Sequence, residues 1–164
     1  MTLTRFNHAS ASDAQHDIAH CVALPDWSAA LVAARPFASL SALLAEGERL
    51  AQAWDADALN QALSAHPRIG ERADGSGKEA AMSGSEQSQV NRHDVQLAEG
   101  LRAGNAAYEQ RFGRVFLIRA RGRSGEQILA ELQRRLENDN LQEEREALAQ
   151  LREITLLRLQ ETFQ

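Results

Sequence analysis

The chain has 164 residues, enough for one domain that buries most of the surface its unfolded form exposes. Its 18 basic and 23 acidic residues give a formal net charge of −5, and the basic stripe typical of a nucleic-acid-binding protein is missing. The single cysteine excludes an internal disulfide, and no apolar run approaches the roughly 20 residues that span a bilayer. We therefore expect a cytoplasmic protein without a signal peptide, which binds neither nucleic acid nor a membrane.

The first third of the chain predicts several helices from apolar residues at helical spacing. Short helices are expected near 12–21, 27–34 and 55–65. Arg35-Pro36 ends the second of them, because the residue before a proline is biased away from helical geometry. A longer helix follows Ser39, a favoured N-cap residue.

Two further helices are predicted in the second half of the chain. The first carries an apolar stripe from Leu97 to Phe112 and ends at Gly113, since glycine readily adopts the left-handed conformation that ends many helices. The second begins after Ser124, with Gln127 three residues on, which is the spacing of a capping box.

The last helix is expected to begin with Asn140 as its cap, paired with Glu143, and to run to about Phe163. Before it lies the one strand-like apolar run, Val115–Ile118, which is either extended and buried or the end of a helix, since a single run cannot form a sheet. Residues 68–84 hold four of the ten glycines and predict a long loop. Together these elements predict one compact all-α domain over residues 1–164, with roughly eight helices and a short extended apolar segment.

His66 is the first candidate for chemistry. Pro67 predicts that a helix ends at His66, where the helix dipole favours a protonated imidazole. A histidine near neutral pKa at such a position suits acid–base catalysis. A histidine that only caps the helix end is the alternative.

The second candidate is the segment Ser83-Gly84-Ser85-Glu86-Gln87. The spacing from Ser83 to Glu86 is that of a capping box, in which Glu86 would only satisfy a backbone N–H group. Alternatively, the free N–H groups of this helix start form a pocket for an anion or a carbonyl, and Glu86 and Gln87 point into it. The residues alone leave both interpretations open.

Arg158 and a histidine pair complete the candidates. Arg158 falls in an apolar arc of the last helix, where a cation needs an anion or a polar ligand unless its side chain snorkels to solvent. His16 and His20 have metal-ligand spacing, with Asp13 and Asp17 nearby, but a third ligand is missing. A solvated charged face is therefore favoured over a metal site, and we expect no metal.

The chain resembles the 2-oxo-4-hydroxy-4-carboxy-5-ureidoimidazoline (OHCU) decarboxylases of urate breakdown from about residue 7 to 163. The blocks that carry the resemblance stand in the family's order and at about its spacing. They are Arg35-Pro36-Phe37, His66-Pro67, Ser83-x-x-Glu86-Gln87, Asn105-x-x-Tyr108, Arg111-Phe112-Gly113, Phe116-Leu117-Ile118, Arg134-x-Leu136 and Arg158-Leu159. The resemblance implies a cofactor-free, all-α carboxy-lyase, often a homodimer, that converts the small molecule OHCU to (S)-allantoin.

The resemblance also implies a site. The catalytic histidine corresponds to His66 and the second catalytic residue to Glu86. Substrate contacts correspond to Pro67, Ser83, Gly84, Ser85, Glu86, Gln87 and Arg158, and to Phe116, Leu117, Ile118, Arg119 and Ala120, which bind largely through their backbone groups.

Two departures from the family's pattern keep other functions open. Many members have aspartate after His-Pro and Phe-Gly-Phe-Pro-Phe before the apolar run, whereas this chain has Arg68 and Arg114-Val115 at those positions. A decarboxylase of a related ureido or hydantoin-like acid is therefore one alternative. Independently of these departures, the other alternative is a non-enzymatic helical binding module, in which His66 and Glu86 are caps and Arg158 is a snorkelling side chain.

Overall fold

The computed structural model describes residues 1–64 and 95–164, and every regular element in these two stretches is helical. The predicted all-α class is confirmed. The α-helices are α1 (Leu3–His8), α2 (Ala11–Ile18), α3 (Pro25–Ala33), α4 (Leu40–Ala51), α5 (Ala56–Leu63), α6 (Val95–Phe112), α7 (Gly125–Arg135) and α8 (Asn140–Thr162), with a 3-10 turn at Ala19–Cys21. The predicted loop over 68–84 lies outside the described residues.

The chain divides into two compact units. The first contains residues 1–62 and 152–164, and the second contains residues 63–151. The single domain expected over residues 1–164 stays a prediction.

The first unit is organised around buried apolar side chains of α1 to α4 and the C-terminal half of α8. Trp27 donates from its indole nitrogen to the backbone carbonyl of Gly47 at 3.0 Å. A Cβ atom at Gly47 would lie 3.2 Å from Leu159, so this close approach of α4 to its neighbours favours glycine. Arg35 joins the end of α3 to α1 by donating to the carbonyls of Phe6 and Ala9 at 2.6 and 2.8 Å.

The second unit has its core between α6 and α7. A Cβ atom at Gly104 of α6 would lie 2.5 Å from a methyl carbon of Leu132 of α7, so a larger residue at position 104 would require the buried Leu132 side chain to shift. Its buried cluster comprises Leu97, Leu101, Tyr108, Phe116, Ile118, Ala120, Ile128 and Leu132.

Local sequence signals predicted three helix ends correctly. The Ser39 side chain accepts from the Ala42 N–H at the start of α4. Both bonds of the predicted capping box at Ser124 and Gln127 are present, and α6 ends before Gly113 with a φ of +72°. These signals depend only on residues a few positions apart, and packing did not override them.

The predicted cap of the last helix is wrong. The Asp139 carboxylate, one residue earlier than expected, accepts from the Gln142 N–H at 2.7 Å. Glu143 is fully buried and serves as an ion-pair partner instead of completing a capping box with Asn140. Asp139 and Asn140 are both good cap residues, so the sequence pattern does not separate them.

The apolar run lies outside the helices. Because α6 ends at Phe112, the helix-end interpretation of Val115–Ile118 is wrong. Residues 115–120 carry no regular secondary structure, and Phe116, Leu117 and Ile118 are buried. The segment is therefore the buried non-helical stretch that the first interpretation predicted.

Candidate functional site

The described residues contain only part of the predicted site. The residues at 66, 67 and 83–87, namely His66, Pro67, Ser83, Gly84, Ser85, Glu86 and Gln87, lie outside them. Phe116–Ala120 lies in the second unit and Arg158 in the first. The expected convergence of all these groups on one pocket stays a prediction.

The segment from Phe116 to Ala120 is held by side chains of α7 and α8. The Leu117 carbonyl accepts from Nη1 of Arg135 at 2.6 Å. The Arg119 N–H donates to Oε1 of Gln150 at 2.8 Å. At the end of the segment the Ala120 carbonyl accepts from the Arg123 N–H at 3.1 Å. Several backbone groups of the predicted binding segment therefore already make hydrogen bonds that fix its position.

Ile118 lies between the Leu117 carbonyl and the Arg119 N–H, which are both hydrogen-bonded. Its side chain is buried, and within the described residues neither its N–H nor its carbonyl makes a hydrogen bond. Buried backbone groups almost always have a partner, so a donor and an acceptor side by side without one mark a place where a polar ligand can bind. That the segment binds a ligand through its backbone stays a prediction.

A buried ionic network of Arg135, Glu143 and Tyr108 contacts the segment 116–120. Arg135 and Glu143 are 1% and 0% exposed, and Nε of Arg135 lies 3.0 and 3.1 Å from the two carboxylate oxygens. The Tyr108 hydroxyl donates to the same carboxylate. The guanidinium also stacks over the Phe116 ring, 4.6 Å from its centroid. Each charge therefore has several partners, which is the condition under which a buried ion pair is tolerated.

The environment of Tyr108 alters its titration. Burial raises the pKa of Tyr108 well above its usual range, and the hydrogen bond to Glu143 raises it further. The phenol is thus neutral and available as a donor throughout the physiological range. It orients Glu143, which in turn orients Arg135.

Sequence reasoning missed this network, although a signal was present. Arg135 follows the buried residues Ile128 and Leu132 at helical spacing, and Glu143 precedes Ala147 and Leu151 on one face of α8. Each charge therefore stands on a buried stripe, and two opposite charges on buried stripes of consecutive helices predict an ion pair. Glu143 was instead assigned to a cap because its distance from Asn140 fits that motif.

A second ionic cluster lies at the surface of the same unit. Arg134 of α7 contacts Glu131 at 2.7 Å and Glu146 of α8 at 2.6 Å, and Asn138 donates to Glu146 at 2.6 Å. The pKa of Glu146 is lowered to about 2, and the hydrogen bond from Arg134 is the largest cause of this shift. The cluster joins the end of α7 to the start of α8.

Arg158 is buried, as one of the two interpretations of its place in the apolar arc requires. It is 1% exposed, and its Nη1 donates to the carbonyl of His20 at 3.5 Å, which is not the only interaction it makes. A snorkelling arginine keeps its guanidinium in solvent, so this degree of burial contradicts that alternative. A buried cation on the last helix is consistent with a role in binding an anionic or carbonyl group.

The histidine pair fits the solvated face that was favoured only at His16, which is exposed. His20 lies in the 3-10 turn after α2, is half-buried, and its Nε2 is 2.8 Å from the hydroxyl of Thr162. Across the part of the chain that the structure describes, no group of three His, Cys, Asp or Glu residues could hold a metal ion. Cys21 is buried.

The described helices include none that is long and apolar enough to cross a membrane. The regular elements of the described residues are thus all helical, with a buried non-helical segment in the second unit and a buried arginine in the first. Residues 7–160 match the family described as OHCU decarboxylase, a class of carboxy-lyases. The chain belongs to the OHCU decarboxylase family.

Named relatives agree with this assignment. The chain is 30% identical over 130 residues to a 2-oxo-4-hydroxy-4-carboxy-5-ureidoimidazoline decarboxylase of Haloferax volcanii, covering 79% of this chain and 76% of the relative. It is 32% identical over 142 residues to the protein of the same name in Amia calva, covering 85% of this chain and 81% of the relative. The non-enzymatic binding module is therefore set aside, and the expected class, a carboxy-lyase, is confirmed.

A solved structure shares the fold. A crystal structure of OHCU decarboxylase in the presence of (S)-allantoin superimposes with a TM-score of 0.75 at 24% identity. The match covers 88% of this chain and 95% of that one. At this identity the likeness supports the helical architecture and no individual residue role.

Proposed function

We propose that this chain converts OHCU to (S)-allantoin, the last step from urate to allantoin, by general acid–base catalysis without a cofactor. The observation that carries the proposal is the family match over residues 7–160, which spans every block of the sequence resemblance. The N–H and carbonyl of buried Ile118, which make no hydrogen bond within residues 1–64 and 95–164, add a local argument, because a ureido group offers both an acceptor and donors to such a pair.

The chemistry of the substrate makes a cofactor unnecessary. OHCU carries a carboxylate on a ring carbon that also bears a hydroxyl and adjoins a C=N bond. When the bond to the carboxylate breaks and CO₂ leaves, the C=N group accepts the electron pair and an enol-like intermediate forms. The nitrogen of the former C=N group takes up a proton, the enol hydroxyl gives up its proton to become a carbonyl, and protonation of one face of the former C=N carbon completes the reaction as a single enantiomer. The protein has to orient the carboxylate, stabilise the intermediate and deliver the proton.

We assign the proton transfer to His66, because an imidazole with a pKa near 6.5 can both accept and donate a proton at neutral pH. Glu86 hydrogen-bonds substrate N–H or hydroxyl groups and orients His66. Gln87 and Arg158 hold carbonyl or carboxylate oxygens, and the backbone of Phe116–Ala120 holds the ureido part. Pro67, Ser83, Gly84 and Ser85 complete the contacts.

Circular dichroism on freshly generated OHCU tests the activity. The (S)-allantoin signal should appear rapidly with the protein and only slowly without it. His66→Asn should lower the initial rate by roughly 10²-fold or more, because it removes the proton donor and keeps a polar side chain. A His66→Asn protein with wild-type activity would assign His66 to a helix cap.

The geometry of the site is tested separately by a crystal structure with the product bound. His66, Glu86, Gln87 and Arg158 should line one pocket, with the backbone of Phe116–Ala120 on another wall. A distance above about 10 Å between the His66 ring and the Glu86 carboxylate is beyond the reach of one small ligand and would contradict the proposal.

A related ureido or hydantoin-like acid is the second candidate substrate. It is favoured by Arg114, a cation beside the binding segment where many family members have an aromatic residue. Competition assays with such acids distinguish the two, since a preferred substrate should show the higher kcat/KM.

The cytoplasmic location and the homodimer belong to the same proposal. The first is supported by the composition, with its single cysteine, and the second by the family's frequent dimerisation. Sedimentation velocity at several protein concentrations tests the dimer, and fractionation of the source cells tests the location.

A further inference from the structure

Arg135 binds one end of the peptide group that precedes Ile118, and Gln150 binds one end of the peptide group that follows it. Arg135 holds the carbonyl of Leu117 at 2.6 Å, and Gln150 holds the N–H of Arg119 at 2.8 Å. The carbonyl of Leu117 and the N–H of Ile118 belong to one peptide group. The carbonyl of Ile118 and the N–H of Arg119 belong to the next.

Planarity of the peptide bond turns these two contacts into a constraint on Ile118. In a trans peptide the carbonyl and the N–H point in opposite directions and cannot rotate independently. The contact from Arg135 therefore makes the Ile118 N–H point away from α7. The contact from Gln150 makes the Ile118 carbonyl point away from the Gln150 side chain. The donor and the acceptor that have no partner within the described residues are thus each oriented by a side chain that touches the opposite end of the same peptide.

Arg135 is itself held rigidly. Its ion pair with Glu143, the hydrogen bond from Tyr108 to Glu143 and the stacking over Phe116 leave the guanidinium little freedom. Such an arrangement is more than the core needs, since an apolar residue would fill the same volume without burying a charge. A fixed guanidinium can, however, satisfy a carboxylate and a backbone carbonyl at the same time, which lysine cannot do with the same geometry.

We propose that Arg135 and Gln150 are positioning residues for substrate binding: they act through the Leu117–Ile118 and Ile118–Arg119 peptides to aim the donor and the acceptor of Ile118 at the ligand. This inference rests on the proposed function, because it takes the segment 116–120 as a binding element. In this role each side chain acts through a peptide group and not by direct contact with the ligand.

Gln150→Leu is the principal test, because the residue is only half-buried and the change keeps most of its volume. Removing the oxygen frees the Ile118–Arg119 peptide. KM for OHCU and Kd for (S)-allantoin should both rise by about tenfold, since misdirecting the Ile118 carbonyl weakens a hydrogen bond to the ligand and tenfold corresponds to about 1.4 kcal/mol. The value of kcat should change by less than about threefold, as expected when an interaction common to ground and transition states is lost.

Gln142→Leu is the matched control. Gln142 lies on the same helix and is exposed, and its side chain contacts only Glu146 within the described residues. It should leave KM, Kd and kcat unchanged. A second variant, Arg135→Met with Glu143→Leu, tests the contact of Arg135 with the Leu117 carbonyl and leaves no unpaired charge buried. A folded sample should show the same rise in KM and Kd.

Equal KM and Kd values in Gln150→Leu and Gln142→Leu would overturn the inference, as would an effect confined to melting temperature. The wild-type assay is scored independently. A wild-type protein that forms no (S)-allantoin from OHCU overturns the proposed function, whereas an active wild type with unaffected Gln150→Leu binding overturns only the positioning role.

Discussion

Glu86 illustrates how one carboxylate supports two interpretations at the scale of a single residue. As part of a capping box it accepts from a backbone N–H, and glutamine can replace it in that role. As part of the site its negative charge serves the substrate, and glutamine cannot replace the charge. The two interpretations therefore predict opposite effects of the same substitution.

Glu86→Gln should leave stability nearly unchanged and damage the rate. Loss of one charged hydrogen bond, worth roughly 1.5–3 kcal/mol, corresponds to about a 10- to 150-fold slower decarboxylation. Melting temperature and initial rate should be measured on the same preparation. An unchanged rate would show that Glu86 is a cap and would count against the site inferred from the family.

Tyr108 offers a second residue-scale prediction, since it is the only tyrosine of the chain. Its pKa is raised in the folded protein by burial and by the hydrogen bond to Glu143. A raised pKa adds stability that is fully present below the unfolded value near 10 and is lost as the pH rises above it. Alkaline conditions should therefore destabilise the fold through this residue.

An absorbance titration of tyrosinate should show no ionisation near pH 10 and a steep rise only where the protein unfolds. Far-ultraviolet circular dichroism on the same samples locates that unfolding. In urea the titration should return to the ordinary value near 10. A simple titration near pH 10 in the folded protein would contradict the buried hydrogen bond.

At the scale of elements, the junction between α7 and α8 depends on the surface cluster around Glu146. The hydrogen bond from Arg134 is the main cause of its lowered pKa, and Asn138 and Gln142 contribute in the same direction. A lowered pKa adds stability above the unfolded value, and that stability is lost as the pH falls through the folded value. The relevant window runs from about pH 4.5 down to about 2.

Glu146→Gln should therefore destabilise the protein at pH 7 and have a diminishing effect as the pH falls through that window. Because the pair is partly solvated, a small effect, up to about 1 kcal/mol, is expected at neutral pH. Urea unfolding of both proteins between pH 7 and pH 2.5 measures the difference. Glu144→Gln, on the same helix, is a control. A difference independent of pH would contradict the assignment.

At the scale of the whole molecule, the proposed chemistry calls for no metal, because the substrate itself accepts the electron pair. Dialysis against a strong chelator should leave the rate of OHCU decarboxylation unchanged. Activity should be measured before and after dialysis, and again after a divalent ion is added back. A loss that the ion restores would mean that a metal site had been overlooked.

The parts of the fold that the sequence predicted well are those that depend on near neighbours along the chain. The caps at Ser39 and Ser124 and the helix end before Gly113 all follow from spacing within a few residues. The all-α class follows from the helical period repeated along the chain. The family resemblance is likewise a property of ordered local blocks.

Tertiary structure decided what the polar residues on the buried stripes do. Glu143 fits a cap by spacing, yet it is the partner of Arg135 and Tyr108, which lie 8 and 35 positions away. The carbonyl of Leu117 accepts a hydrogen bond from Arg135, which lies 18 positions further along the chain. Neither the apolar run that contains Leu117 nor the helical spacing of Arg135 predicts this contact. Helical periodicity shows that a charge is buried, but only the packing of helices determines which group compensates it, because that choice depends on distances through space.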